Sequence, residues 1–179
     1  MADSGIVAVF GSMNMDLSVA CERMPRAGET VGGSGFITNA GGKGATRPWQ
    51  LRAWGARTCM IGAVGRDAFW RCAGGGTSRM PAWALSSWRG ATTWRRARRP
   101  SSGCESDNRI VLSPGANHAL TGDDVACALR YLVADELDRD ACGLAPAAGS
   151  VFIAQGECDL AATAEALVCA HELGFYDGL

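Results

Sequence analysis

The chain has 179 residues, 47% of them hydrophobic, and a formal charge of −1. That is enough for one domain with a proper core, and near-neutral charge gives no global electrostatic reason to expect nucleic acid or a membrane as partner. No run approaches the roughly 20 apolar residues of a membrane helix, and Met1-Ala2-Asp3-Ser4 lacks the basic and apolar regions of a signal peptide. Lys43 is the only lysine among 17 basic residues, an arginine bias that suggests a GC-rich genome rather than a binding function. The eight cysteines (21, 59, 72, 104, 127, 142, 158 and 169) form no Cys-x-x-Cys pair, and the two histidines sit far from any cysteine cluster. Zinc and a secreted disulfide framework are therefore poor readings, and reduced thiols in a cytoplasmic protein are the default expectation.

Ile6 to Phe10 is an apolar run ended by Gly11-Ser12, which predicts a buried strand and a turn. Leu17 to Ala20 predicts a second strand. Pro25, Gly28 and Gly32-Gly33-Ser34-Gly35 mark a turn-rich excursion with Glu29-Thr30-Val31 as a short strand inside it. Gly41-Gly42-Lys43-Gly44 predicts a tight loop leading into a helix, although Pro48 interrupts the helical pattern of Thr46 to Trp54. Thr58 to Val64 is another buried strand.

From Trp70 to Cys104 the character changes: seven arginines, no acidic residue, four of the six tryptophans, and no Val, Ile or Phe. No period of 2 or 3.6 survives there. Pattern returns with a strand at Arg109 to Ser113 and a loop at Pro114-Gly115-Ala116-Asn117. Thr121 then caps a helix with Asp123 and Asp124 in its first turn, Thr121-x-x-Asp124 approximates a capping box, and Val125, Leu129 and Leu132 form the apolar stripe. Asp135 to Ser150 predicts a long loop, Val151 to Ala154 a strand, and Asp159 the cap of a last helix to about Leu173. Strands alternating with helices argue for a parallel α/β sheet.

Three features could converge on one polyol. Asn14-Met15-Asp16 places an amide and a carboxylate at a strand's exit, where ligands bind in open α/β sheets. Asp16 can accept two hydroxyl protons, and Asn14 can donate and accept. Gly41-Gly42-Lys43-Gly44 lets a ligand meet the backbone, and Gln155-Gly156-Glu157 adds a carboxylate from another strand end. Each signal alone is weak: Asn-x-Asp is usually a turn or cap, a glycine-rich loop is often mere geometry, and Glu157 could simply precede a helix cap. Gly42-Lys43 also fails as a nucleotide P-loop, because Gly44 stands where Ser or Thr is needed and Ile37 where glycine is needed.

Together the features are specific. Gly11-Ser12-Met13-Asn14-Met15-Asp16, Pro25-x-x-Gly28-Glu29-Thr30-Val31 and Gly41-Gly42-Lys43-Gly44-Ala45 resemble the N-terminal signature of the ribokinase family. The resemblance resumes in Met60-Ile61-Gly62-Ala63-Val64-Gly65-x-Asp67-x-Phe69, Asn108-Arg109-Ile110-Val111, Pro114 to Asn117, and Gln155-x-Glu157. It implies a three-layer α/β/α parallel sheet with a small β-lid over about residues 17–40 that makes a homodimer contact, within one partial domain spanning 1–179. It also implies that Asn14, Met15, Asp16, Gly42, Lys43, Gly44, Ala45, Thr46 and Glu157 form the substrate site for ribose or a related pentose. The implied reaction moves the γ-phosphoryl of ATP to the sugar 5-hydroxyl, assisted by Mg2+ and a monovalent cation.

The pattern also breaks. The family expects Asn-Gln after Gly-Lys-Gly-Ala, and this chain has Thr46-Arg47. Residues 46–55 can be written ACC AGG CCG TGG CAG CTG CGG GCT TGG GG. With one A placed in front, the same bases encode Asn-Gln-Ala-Val-Ala-Ala-Ala-Gly-Leu-Gly, an apolar helix of the family kind. A local frame error is the expectation for this stretch and, on weaker grounds, for 70–104. The other readings of 70–104 are an authentic loop or an arginine/tryptophan nucleic-acid-binding segment around Trp94 to Arg99. The family's catalytic base, in a Gly-Ala-Gly-Asp motif, and its nucleotide pocket are expected beyond Leu179. The chain is thus expected to contain no catalytic residue, to bind neither ATP nor the cations properly, and to be a truncated, inactive kinase relative or a sugar-binding or dimerising remnant.

Overall fold

A computed structural model describes residues 5–55, 57–64, 95–98, 108–137 and 148–176. The chain forms β1 (Ile6–Phe10), β2 (Asn14–Ala20), β3 (Ser34–Gly41), α1 (Lys43–Ala53), β4 (Arg57–Ile61), β5 (Arg95–Arg98) and β6 (Asn108–Ile110). A 3-10 turn (Gly115–His118), α2 (Gly122–Leu137), β7 (Val151–Ala154) and α3 (Leu160–Glu172) follow. Two sheets result: a parallel one in the order β4-β1-β7 and a mixed one in the order β3-β2-β5-β6.

The parallel sheet is the centre of three layers. Successive β1 side chains point to opposite faces. Ile6, Ala8 and Phe10 enter a core with Val125, Leu129 and Leu132 of α2 and with Ala166 and Ala170 of α3. Val9, with Val7 beside it, instead packs with Met60, Met13 and the Ala45 and Leu51 side chains of α1. Helices therefore cover both faces, as a buried parallel sheet requires. Among the described residues no helix is long and apolar enough to cross a membrane.

The caps explain why two helices start where they do. Thr121 and Asp124 form the expected capping box: Asp124 Oδ2 accepts from Thr121 N–H at 2.9 Å, and Asp124 N–H donates to Thr121 Oγ1 at 3.3 Å. Asp159 Oδ1 accepts from Ala162 N–H at 2.9 Å at the start of α3.

Four expectations are corrected. The strand of the excursion is not Glu29-Thr30-Val31 but Ser34–Gly41, which pairs antiparallel with β2 from Asn14↔Gly41 to Ala20↔Ser34. Backbone pairing with β2 overrides its glycine content. Helix α1 does not break at Pro48, which lies buried within Lys43–Ala53. A proline removes one main-chain bond and typically costs about 3 kcal/mol in a helix interior, against which α1 packs half-buried Ala45 and Leu51 on the sheet. Helix α2 runs on to Leu137, past the expected loop start at Asp135. The expected loop at Pro114 to Asn117 instead enters a 3-10 turn, Gly115–His118, with Pro114 at its N-cap.

Within the anomalous segment, Arg95–Arg98 is a strand beside β2, with Val19 opposite Ala97. The rest of 70–104, including Trp94 and Arg99 of the nucleic-acid-binding reading, falls outside the described residues, as do Asp67 and Phe69.

Candidate functional site

The turn between β1 and β2 is where the two sheets meet, and three other segments close on it. The first is the Gly41–Gly44 stretch. Gly42 has φ +97°, and a β-carbon there would strike the carbonyl oxygen of Ser12 and lie 2.9 Å from Asn14 N. Gly44 is buried against the backbone of Gly11 and Ser12, with no room for a side chain. Ala45 N–H donates to Ser12 O at 3.1 Å, and Thr46 N–H to Gly42 O at 3.1 Å. These glycines let two backbone segments touch, and the amides of Ala45 and Thr46 serve the protein rather than a ligand. Thr46 Oγ1 likewise donates back to Gly42 O at 3.2 Å.

The second segment follows β7. Gln155 N–H donates to Phe10 O at 3.2 Å, which continues the β1–β7 ladder into the site. From there a polarised chain runs back to Glu157. Glu157 N–H donates to Gln155 Oε1 (3.2 Å), Gln155 Nε2 donates to Ser12 Oγ (2.8 Å), and Ser12 Oγ donates to Glu157 Oε2 (2.8 Å). Each direction is forced, because a backbone N–H can only donate and a carboxylate can only accept. Lys43 Nζ approaches the other oxygen, Glu157 Oε1, at 2.8 Å.

The third segment is the 3-10 turn. Asn117, buried at 4% exposure, accepts from Met13 N–H through Oδ1 at 2.8 Å and donates through Nδ2 to Asn14 Oδ1 at 2.7 Å.

Asn14, Asp16, Gly42, Lys43 and Glu157 are thus brought to one place. A β-carbon at Gly41 would lie 2.8 Å from Asp16 Oδ2, so the Asp16 carboxylate stands over the start of the glycine loop. Met15 alternates to the other face of β2 and is buried. Gly44 and Ala45 build the floor, and Thr46 is exposed on the first turn of α1. Ser12, Gln155 and Asn117 do not stand out in the sequence as site residues. Their signal was present only as membership of the same motifs, at sequence separations above 100 residues.

Chemically, the arrangement sets an ammonium, two carboxylates and an amide around one turn, an assortment suited to a neutral ligand rich in hydroxyl groups. Among the described residues no group of three or more histidine, cysteine or acidic side chains could hold a metal ion.

The chain is 37% identical over 119 residues to the ribokinase of Lactococcus lactis, covering 64% of this chain and 38% of that protein. It is 29% identical over 126 residues to the deoxyribokinase of Salmonella typhi, covering 66% of this chain and 39% of that one. It spans well under half the length of these curated relatives. The structure of Arabidopsis thaliana ribokinase complexed with ribose and ATP superposes with a TM-score of 0.70 at 21% identity, over 97% of this chain and 52% of that one. No family model matches the chain.

Proposed function

Since the chain is ribokinase-like in sequence and in fold, we propose that its cradle binds a free pentose, ribose first, as the sugar half of a carbohydrate kinase. The observation that carries this reading is the Lys43–Glu157 pair, set beside Asn14 and Asp16 at the β1–β2 turn. Vicinal hydroxyls both donate and accept, so they suit a site that alternates a cation, carboxylates and an amide. A related deoxyribokinase makes 2-deoxyribose the natural competitor.

The glycine loop does not fit ATP. Its inner side is filled by Gly11 and Ser12, and the first amides of α1 are spent on Ser12 O and Gly42 O. Both Glu157 oxygens are engaged, by Ser12 and Lys43, which suits a positioning group better than a base. The chain by itself binds sugar without phosphorylating it. Calorimetry with D-ribose tests the reading, with Asp16→Ala as control: binding lost in the variant supports it, and equal or absent heats in both overturn it. ATP-dependent turnover of ribose by the purified chain would overturn the inactive part alone.

The partner of the lid is a second copy of the chain. β3 is an edge strand that exposes Phe36 and Ile37, one on each face. Unpaired edges carrying apolar side chains invite strand-to-strand association. Sedimentation of wild type against Phe36→Asp/Ile37→Lys distinguishes a dimer that dissociates from a chain that was monomeric throughout.

A further inference from the structure

The geometry points to Asn117 as a positioning residue that fixes which end of the Asn14 amide is offered to a ligand. This inference rests on the pentose reading for its ligand, but not for its geometry.

Met13 N–H can only donate, so the Asn117 atom 2.8 Å from it must be the carbonyl Oδ1. Asn117 Nδ2 is thereby assigned to the other side, where it meets Asn14 at 2.7 Å. An amide nitrogen there needs an acceptor, so the Asn14 atom facing it must be Oδ1. Asn14 Nδ2 is then the end that Asn117 leaves available. The orientation of two carboxamides, ordinarily a matter of network fitting, follows here from one backbone amide. Burial of Asn117 keeps water from offering an alternative partner. Asn14, which in isolation could donate or accept, is made a donor, so the ligand atom it meets must accept.

The consequence is a selectivity that ribose alone does not reveal, because a hydroxyl can fill either role. A deoxyfluoro sugar separates the roles, since fluorine accepts weakly and never donates. Asn117→Asp keeps the acceptor for Met13 but puts a second acceptor against Asn14, which turns the Asn14 amide round and presents its Oδ1.

The experiment is calorimetry of the full chain and of Asn117→Asp with D-ribose, 2-deoxy-2-fluororibose and 3-deoxy-3-fluororibose, after thermal unfolding has shown that the variant folds. Wild type should tolerate fluorine at one position. In Asn117→Asp the ribose-to-fluorosugar affinity ratio at that position should rise by roughly tenfold, the scale expected when a polar group loses its hydrogen-bond partner. Ratios identical in the two proteins at both positions overturn the assignment. A second readout needs no ligand: side-chain amide exchange by NMR in wild type. Asn117 Nδ2 protons exchanging more slowly than those of Asn14 support the relay, and the reverse order overturns it. If wild type binds none of the sugars, the pentose reading fails, and amide exchange alone decides the role of Asn117. If Asn117→Asp does not fold, the same exchange measurement decides it.

Discussion

Lys43 Nζ stands 2.8 Å from Glu157 Oε1, so the first residue of α1 is tied to the loop that leaves β7. A lysine at a helix N-terminus opposes the helix dipole, and Glu157 compensates it. The Lys43 side chain is 71% exposed, so the pair adds no more than about 1 kcal/mol to folding. On the proposed pentose reading, the pair orients a donor and an acceptor toward the sugar. Lys43→Met and Glu157→Gln should each lower ribose affinity by roughly tenfold or more, with urea midpoints close to wild type. Affinity unchanged in both variants would place the ligand elsewhere.

Ser12 behaves differently because it is 1% exposed and sits in the middle of a chain of bonds. Ser12→Ala leaves Gln155 Nε2 without its acceptor and Glu157 Oε2 without its donor. Gln155 and Glu157 are half-buried, so water can partly replace the lost bonds and the cost should be about 1 kcal/mol. The urea midpoint should fall accordingly with little change in slope, and pentose affinity should fall with it because Glu157 is no longer held. A variant as stable as wild type would mean that the relay carries no energy.

The features that were legible in the sequence are the local ones. β1 and β7 are short apolar runs, α2 shows its stripe and capping box, and Asp159 marks the start of α3. β3 was not legible, because a strand exposed along Ser34 to Ala40 carries no alternation of buried and exposed positions and is rich in turn residues. The continuity of α1 through Pro48 was hidden for a related reason: propensity argues locally, and packing against the sheet decided otherwise. Asn14, Asp16, Lys43 and Glu157 stood out by motif. Asn117 and Ser12 did not, since their roles exist only once segments more than 100 residues apart have met. The frame reading of residues 46–55 is checked on the genomic DNA: a clean read encoding Thr46-Arg47-Pro48-Trp49 overturns it, and an added base before the Thr46 codon supports it.

The glycine loop gives a prediction about stability alone. Gly42→Ala forces a β-carbon into the carbonyl of Ser12 at φ +97°, and Gly44→Ala drives one into Gly11. In both cases the obstacle is backbone, which cannot swing aside as a side chain would. Strain or overpacking of this type costs about 1–3 kcal/mol per site. Both variants should melt several degrees below wild type whether or not ribose is present. Gly28→Ala serves as the contrast: its φ is +75°, but nothing lies near the added carbon, so it should lose less.

The thiols set the behaviour in alkali. Burial pushes the Cys158 thiol from 9.0 up to about 12, and the neighbouring Glu157 and Asp159 carboxylates push in the same direction. Burial raises Cys59 to about 11, against a smaller opposing effect of a backbone hydrogen bond at Met60. In the unfolded chain these thiols ionise near 9.0, whereas in the folded chain they stay neutral until higher pH. Their contribution is therefore fully present below pH 9.0, and is lost as pH rises toward 11 for Cys59 and 12 for Cys158. Denaturant midpoints should be flat up to about pH 9 and then decline, and Cys158→Ala should decline less steeply. Only the thiolate reacts with iodoacetamide. At pH 8, exposed Cys127 should label in the native protein, while Cys59 and Cys158 label only after denaturant is added. Native labelling of Cys158 at the rate of Cys127 would show that α3 does not close over it.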